Sequence, residues 1–568
     1  MRPNLLRPAS ACWRVESNLL RQPASSVPSV WGSRNFAATP ACKEKQWSTP
    51  LAKQLTEAIK ITGPIPLASY MRMCLTSDVG GYYTGGAEKG RDQFSEEGDF
   101  ITSPEISQIF GELVGIWFVA EWISQGSPKQ GVHLIEVGPG KGTLMDDMLR
   151  TMNNFKEMAA NIEAVYLVEA SAELRLAQKN LLCGEDAVMT ESKMGWHATS
   201  KYAGLPIVWT DAIKAIPQDP TKTPFIVAHE FFDALPIHAF QLVKVSPGQQ
   251  QAQTTVSLDP ASSAATTATS APKTSPGYHW REMVVTRTPP LMTHDDLGTP
   301  PAQRHEPVSE FQLTLSPAMT RHSQYLPESS PRYRALKSTP GAIIEVCPDA
   351  ALYVSDFAQR IGGGFPPPRP PASSSSPQST AAAAAAAAVP IKPRPSGAAL
   401  IIDYGPSDTV PANSLRGISR HRRVSPFAAP GRVDLSADVD FMALAEAATR
   451  ASPGVECHGP VDQAHFLEAM GVRHRAAALA GEAVAAAGGI DEKAAHTHRE
   501  RIDRSLNRLL DRGPGGMGKV YKVFAILPEH NGERRPVGFG GDVDTGSRAS
   551  GHGTRTRQQR TGDNEEEK

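Results

Sequence analysis

No stretch of the chain is apolar for long enough to cross a bilayer. A spanning helix needs about 18 to 20 consecutive apolar residues, and none occurs in the 568. Cysteine is scarce too: Cys12, Cys42, Cys74, Cys183, Cys347 and Cys457 form no CxxC pair and no tight Cys/His cluster. A disulfide framework or a zinc site would need such spacing, so neither is indicated, no metal is expected, and a reducing compartment is. Charge of one sign is also missing. With 58 Lys and Arg against 59 Asp and Glu the formal net charge is −1, which excludes the basic footprint of a nucleic-acid binder and any polybasic membrane anchor. What remains, 40% hydrophobic and 21% charged residues, is the composition of a soluble globular protein able to bury a sizeable core.

Residues 1–42 differ from the rest. They carry Arg2, Arg7, Arg14, Arg21 and Arg34 against the single acid Glu16, among many Ser, Ala and Pro, which is the composition of an organelle transit peptide. Arg34-Asn35-Phe36 before Ala37 reads as a matrix-processing site; cleavage there would remove five Arg and one Glu and leave the remainder near −5. A plastid address is the alternative to a mitochondrial one. Further along, four tracts break the folded pattern: 246–277, 289–332, 365–398 with its eight alanines at 381–388, and 532–568. Their Pro, Ser, Thr, Gln and Ala content predicts unstructured excursions between core elements and a polar tail.

Between these tracts, apolar runs of strand length at 132–137, 165–168, 206–209, 225–228 and 398–402 alternate with helical patterns. That alternation predicts a doubly wound α/β sheet of parallel strands. Residues 240–245 and 278–285 read as the arms of one antiparallel hairpin whose turn is the first insert, and 520–527 as a late antiparallel edge strand. Before the first strand, Thr102-Ser103-Pro104-Glu105 marks a helix start, and Ile106, Ile109, Phe110, Leu113, Trp117 and Ala120 follow at helical spacing. One helix is expected there, within an N-terminal helical segment, 48–130, that packs on the site. The core is expected over 131–527.

The chemistry is concentrated after three of the strands. Glu136-Val137-Gly138-Pro139-Gly140-Lys141-Gly142-Thr143 leaves the first strand and opens a helix, and its glycines allow backbone to approach a ligand that a Cβ would exclude. A dinucleotide fingerprint would need glycine where Thr143 stands; a purely structural turn is the plainer alternative. Glu169 ends the next strand, where a carboxylate can accept both hydroxyls of a ribose. Asp211 follows the third strand, either as a helix cap or as a ligand contact. AHEFFDALP sets Glu230 and Asp233 beyond the fourth strand beside Phe231 and Phe232. Acids among aromatic rings suit a cationic guest such as a guanidinium, although capping acids beside core phenylalanines would look the same.

GDFITSPEISQIFGELVGIWF (98–118), IEVGPGKGTLMDDMLR (135–150), AHEFFDALPIHAFQ (228–241), EVCPDA (345–350) and PGRVDLSADVDF (430–441) resemble, in order, the signatures of the MidA-like family of mitochondrial protein arginine methyltransferases. GYY (81–83), LRG (415–417), GPVDQAHFLEAMG (459–471) and MGKVYKVFAIL (517–527) extend the likeness over most of 55–527 outside the inserts. The resemblance implies a class I methyltransferase fold, Rossmann-like with antiparallel edge strands and an added helical lobe. It implies S-adenosyl-L-methionine as cofactor and a soluble matrix enzyme, with a homodimer among the states to test. The implied substrate is an arginine on a core subunit of NADH:ubiquinone oxidoreductase, dimethylated symmetrically (type II) during complex I assembly. Glu136, Gly138, Gly140, Gly142, Glu169 and Asp211 are then the expected cofactor residues. Glu230, Asp233 and Glu105, in that order, are expected to orient the guanidine and help its proton leave. A non-catalytic assembly chaperone on the same fold, a small-molecule methyltransferase, and a nicotinamide oxidoreductase are the competing readings.

Overall fold

The strands with the most apolar sequence became the ones buried on both faces. In the computed structural model Thr223–His229 and Ala398–Tyr404 are buried at every residue, as expected of central strands in a parallel sheet covered by helices on both sides. The structure describes residues 47–84, 99, 101–129, 131–244, 277–365, 391–486 and 492–540, all in one unit that starts at Trp47. The transit-peptide reading at 1–42 lies outside them, as does nearly all of the insert at 246–277.

From edge to edge the main sheet runs Val455–Asp462, Tyr521–Pro528, Ala398–Tyr404, Thr223–His229, Val132–Val137, Ile162–Val168, Pro206–Thr210, Gly195–Thr199 and Thr190–Ser192. The five strands from Ala398–Tyr404 to Pro206–Thr210 are mutually parallel, and those outside them pair antiparallel. This is the expected doubly wound sheet with antiparallel edges, including the late strand over Tyr521–Pro528. One face packs on Gln108–Ser124, Thr143–Met152 and the C-terminal helices around Trp117, Phe118 and Met148; the other packs on Pro348–Gly362 and Phe441–Ala451 around Phe357 and Phe441. Each such buried side chain contributes roughly 1.5 to 3 kcal/mol. Among the described residues no helix is long and apolar enough to cross a membrane.

Ile65–Pro66, Tyr278–Arg287, His238–Lys244 and Ile343–Val346 form a second sheet, with Phe311–Leu315 on the free side of Tyr278–Arg287. The expected hairpin is present, with Lys244 opposite Tyr278 and Ala239 opposite Met283. Helices Pro50–Thr62 and Leu67–Thr76 pack on this sheet through Leu55, Tyr70 and Met71.

Four expectations need correction. The tract 289–332 is not an unstructured excursion throughout, because its FQLTL run pairs with Tyr278–Arg287 and buries Phe311; alternation won over proline content. At the end of the 365–398 tract Lys392 is buried, its Nζ donating to the carbonyls of Lys222, Arg360 and Ser396 at 2.8, 2.9 and 3.0 Å. At the start of the tail, Phe539 packs on Trp117 and Phe466, and Trp117 Nε1 donates to the Val537 carbonyl at 3.1 Å. The single helix expected from Thr102 is two, Ser103–Ile106 and Gln108–Ser124. Ser107 is extended between them and its Oγ accepts from the Ile109 N–H, so it caps the second helix.

Candidate active site

Val132–Val137 ends at the middle of the sheet, and there the chain must turn sharply into helix Thr143–Met152. Gly138, Gly140 and Gly142 make that turn at φ of 67°, 52° and 88°, a left-handed region that side chains disfavour. The Gly138 N–H donates to the Val168 carbonyl at 3.1 Å, tying the turn to the neighbouring strand. A Cβ on Gly138 would lie 2.7 Å from Phe231 Cδ2. Glycine at 138 is therefore required twice, by the dihedral and by the approach of the Phe231 ring.

Two acids stand beside this turn. Glu136 is buried, its Oε2 has no hydrogen-bond partner, and burial, reinforced by the like charge of Glu169, pushes its carboxyl up to about 8. Glu169 ends Ile162–Val168; its Oε1 accepts the Ser171 N–H at 2.8 Å and its Oε2 accepts Gln178 Nε2 at 3.2 Å. Burial raises it to about 7. Gln178 was missed from sequence, yet it joins the two halves: its Nε2 also donates to the Gly140 carbonyl at 2.7 Å, and its Oε1 accepts Trp209 Nε1 at 2.9 Å. Glycine turn and acid are thus held in one network with every Gln178 hydrogen used. Asp211 lies at the rim, exposed and paired with Arg175 at 2.6 Å.

The second half of the site is the AHEFFDALP loop leaving Thr223–His229. Its first acid, Glu230, adopts φ 48°, a conformation costing on the order of 1–3 kcal/mol that persists only where surroundings impose it. The Glu230 N–H donates to the Ile402 carbonyl at 3.0 Å. Asp403 Oδ2 then accepts the next three N–H groups, those of Phe231, Phe232 and Asp233, at 3.1, 2.9 and 3.3 Å. One buried carboxylate thereby shapes the loop.

The loop's own acids are left under-bonded. Glu230 Oε1 and Asp233 Oδ1 are buried without hydrogen-bond partners. Burial, followed by the charge of Asp233, raises Glu230 to about 8, against the opposing pull of the Tyr521 hydroxyl and the Ser103 N–H. Asp233 Oδ2 accepts a short hydrogen bond from the Tyr404 hydroxyl, and burial raises this carboxyl as well. His229 Nε2 is 3.5 Å from Glu230 Oε1 without hydrogen-bond geometry; burial pushes the imidazole down to about 3, so it stays neutral and cannot offset the acids. Asp434, bonded by the Tyr83 hydroxyl at 2.9 Å, is raised to about 7 by burial. Arg416 lies 4.6 Å over the Tyr404 ring but is committed to Asp438 at 2.6 Å.

Both halves open into one cavity of about 980 Å³. Glu105, Glu136, Gly138, Gly140, Glu169, Asp211, Glu230 and Asp233 line it; Gly142 alone among the expected residues stands behind, against Gln178. Glu105 sits nearer the glycine turn than ranking it with Glu230 implied, since its Oε1 accepts the Thr143 hydroxyl at 2.5 Å. Nine carboxyl side chains face the cavity against four Lys and Arg, so its field comes to favour a cation as the buried acids ionise. The sequence reading gave no role to Tyr83, Asp403, Tyr404, Arg416, Asp434 or Tyr521. Several lie inside quoted motifs, but nothing local marks a tyrosine at a strand end as a partner of a distant acid.

The family described as "Putative S-adenosyl-L-methionine-dependent methyltransferase" matches residues 113–461. "Protein arginine methyltransferase NDUFAF7, mitochondrial" of Rattus norvegicus is 30% identical over 508 residues, 89% of this chain and 90% of that protein. The Drosophila melanogaster homolog of that name is 33% identical over 485 residues, 84% and 85% of the two chains. Among solved structures, a "likely methyl transferase" from Burkholderia thailandensis bound to S-adenosyl-homocysteine superposes with a TM-score of 0.52 at 21% identity, covering 88% of this chain and 94% of the other. That likeness shows the fold. With its glycine turn, its acid-lined cavity and a match over more than half its length, the chain belongs to the S-adenosyl-L-methionine-dependent methyltransferase family, and S-adenosyl-L-methionine is its cofactor.

Proposed function

We propose that the protein is a protein arginine methyltransferase of the mitochondrial matrix that symmetrically dimethylates an arginine on a core subunit of NADH:ubiquinone oxidoreductase and so promotes complex I assembly. The observation that carries this reading is the pair of acids Glu230 and Asp233, which line the cavity that also holds the glycine turn and each keep one buried oxygen, Oε1 and Oδ1, without a hydrogen-bond partner. Buried polar atoms are rarely left unpaired, and a guanidinium, with five N–H donors in a planar fork, is suited to two neighbouring carboxylates. The relatives' printed names, arginine methyltransferase and mitochondrial, agree with this substrate class and address.

The residues present fit the family's cofactor. Glu136 lines the cavity and its buried Oε2 has no hydrogen-bond partner, and each Glu169 oxygen has one protein hydrogen bond, which leaves lone pairs for ribose hydroxyls. Gly138 and Gly140 offer bare backbone, Gly142 lets the helix begin immediately behind them, and Asp211 stands at the rim. Bound there, S-adenosyl-L-methionine supplies an electrophilic methyl. The chain's own residues do the rest: Glu230 and Asp233 hold the cation by its N–H edge, and Glu230 takes the proton released as a guanidine nitrogen is methylated. A carboxyl raised to about 8 is matched to that exchange near neutral pH. Glu105, through Thr143, steadies the junction with the glycine turn.

The test is to incubate the chain, cleaved after residue 36, with labelled S-adenosyl-L-methionine and a matrix extract, and to identify the labelled polypeptide and its methylarginine form by mass spectrometry. Label in symmetric dimethylarginine of one complex I subunit is the expected result. Label only in a small molecule, or none, would overturn the reading.

A further inference from the structure

Away from the cavity, the second sheet brings together three side chains that are far apart in sequence. His238 lies on His238–Lys244, Glu282 on the neighbouring Tyr278–Arg287, and His322 on the short helix Arg321–Tyr325 that follows the Phe311–Leu315 strand. None of the three lines the cavity. Glu282 Oε1 lies 2.8 Å from His238 Nδ1 and 3.3 Å from His322 Nδ1, and the three donor atoms lie within 4.8 Å of one another. The imidazole centroids are 4.2 Å apart with their planes inclined by 50°, so the same nitrogen of each ring is turned to the same carboxylate oxygen. Glu282 Oε2 accepts a short hydrogen bond from the Thr320 hydroxyl, and Thr320 also caps the helix that carries His322.

We propose that His238, Glu282 and His322 form a divalent transition-metal site that takes Zn2+, with Thr320 as the outer partner that orients the carboxylate. Two imidazoles and a carboxylate are a donor set suited to zinc. At metal–ligand distances of about 2.0 to 2.1 Å a tetrahedral site separates its donors by about 3.3 Å; Glu282 and His322 already have that spacing, Glu282 and His238 need to open by about half an ångström, and the two imidazole nitrogens, within 4.8 Å of each other, need to settle to it. The carboxylate's second oxygen is held by a hydroxyl, as outer-shell partners of metal ligands commonly are. His238 and Glu282 are nearly buried while the His322 side chain is 48% exposed, which leaves an entry path and a fourth position toward solvent. A bound ion clips Arg321–Tyr325 to the strand that begins two residues after Pro236, at the end of the Glu230–Asp233 loop. The site is independent of the proposed methyl transfer.

Isothermal titration calorimetry with Zn2+ on the full chain, free of affinity tags and stripped with a chelator, tests the proposal alongside thermal unfolding with and without the ion. Expected are one site per chain, a rise in Tm with Zn2+ but not with Mg2+, at least a tenfold weaker affinity in His322→Ala, and a weaker affinity in Thr320→Ala. His322 is half exposed, so that variant should fold; Glu282→Gln, read by the same titration, removes the shared ligand. Absence of Zn2+ binding, or a His322→Ala variant that binds with unchanged stoichiometry and affinity, overturns the site and leaves a hydrogen-bonded cluster. Because neither readout uses methyl transfer, failure here is distinguishable from failure of the functional reading.

Discussion

Replacing Glu230 by glutamine separates the two consequences of a carboxyl buried beside Asp233. In the folded protein that carboxyl is raised to about 8, first by burial and then by Asp233, whereas in an unfolded chain a glutamate titrates near ~4.3. Between those two values the unfolded state releases the proton and the folded state retains it. Stability contributed by this group is therefore fully present below about 4 and is lost progressively as pH rises, up to about 8. Each pH unit in that window is worth about 1.36 kcal/mol, so glutamine, which does not titrate, should gain about 2.7 kcal/mol on the wild type between pH 5 and pH 7. Urea unfolding of both ligand-free proteins at pH 5, 6, 7 and 8 measures the difference. A gap that is constant with pH, or that narrows as pH rises, would refute the reasoning. In the same variant S-adenosylhomocysteine should still bind, while single-turnover methyl transfer should fall by about 100-fold or more. Wild-type kcat/KM should decline as pH falls through about 8, since the charged form of Glu230 holds the guanidinium. Full transfer in Glu230→Gln together with loss in Asp233→Asn would reverse the order of the two acids.

Gly138→Val combines a φ of 67° with a Cβ aimed at Phe231, so calorimetry should find S-adenosylhomocysteine affinity reduced more than tenfold; an unchanged value would refute the cofactor assignment. Glu169→Ala should weaken the same affinity by about 1.5 to 3 kcal/mol through lost ribose hydrogen bonds, and Gln178→Leu should weaken it too, because Gly140, Glu169 and Trp209 all lose a partner. Asp403→Asn leaves one acceptor oxygen where two now serve the three loop N–H groups and the Tyr404 N–H and should cost about 2 kcal/mol in urea unfolding, lowering kcat while leaving S-adenosylhomocysteine affinity near wild type. Ending the chain after Asn531 strands buried Glu121 without Arg534, its partner at 3.0 Å, and strips Phe539 from Trp117; a loss of about 3 kcal/mol or more is expected, and unchanged stability would show that this packing contributes nothing.

Much of this was legible in one dimension. The alternation of apolar runs with helical patterns, the glycines after Val137 and the acids at the ends of successive strands are local features, set by dihedral preference and by side-chain period. They place eight of the nine expected residues on one cavity, because parallel strands in register bring their C-terminal ends to the same edge of the sheet. Local signals also misled. Proline content concealed the Phe311–Leu315 strand, and continuous helical spacing concealed the break at Ser107.

What the sequence could not give are contacts between residues far apart along the chain. Asp403 shapes the Phe231 turn from 172 positions away, and Tyr404 reaches Asp233 across a similar separation. The metal triad likewise depends on the pairing of two strands and the docking of a helix. A carboxylate's partners, and therefore its charge at neutral pH, are properties of the space around it rather than of its neighbours in the chain. Sequence by itself determined the sheet, the glycine turn and the acidic character of the site; only the tertiary structure decided which acids are buried, which oxygens are left unpartnered, and what holds the Glu230–Asp233 loop in place.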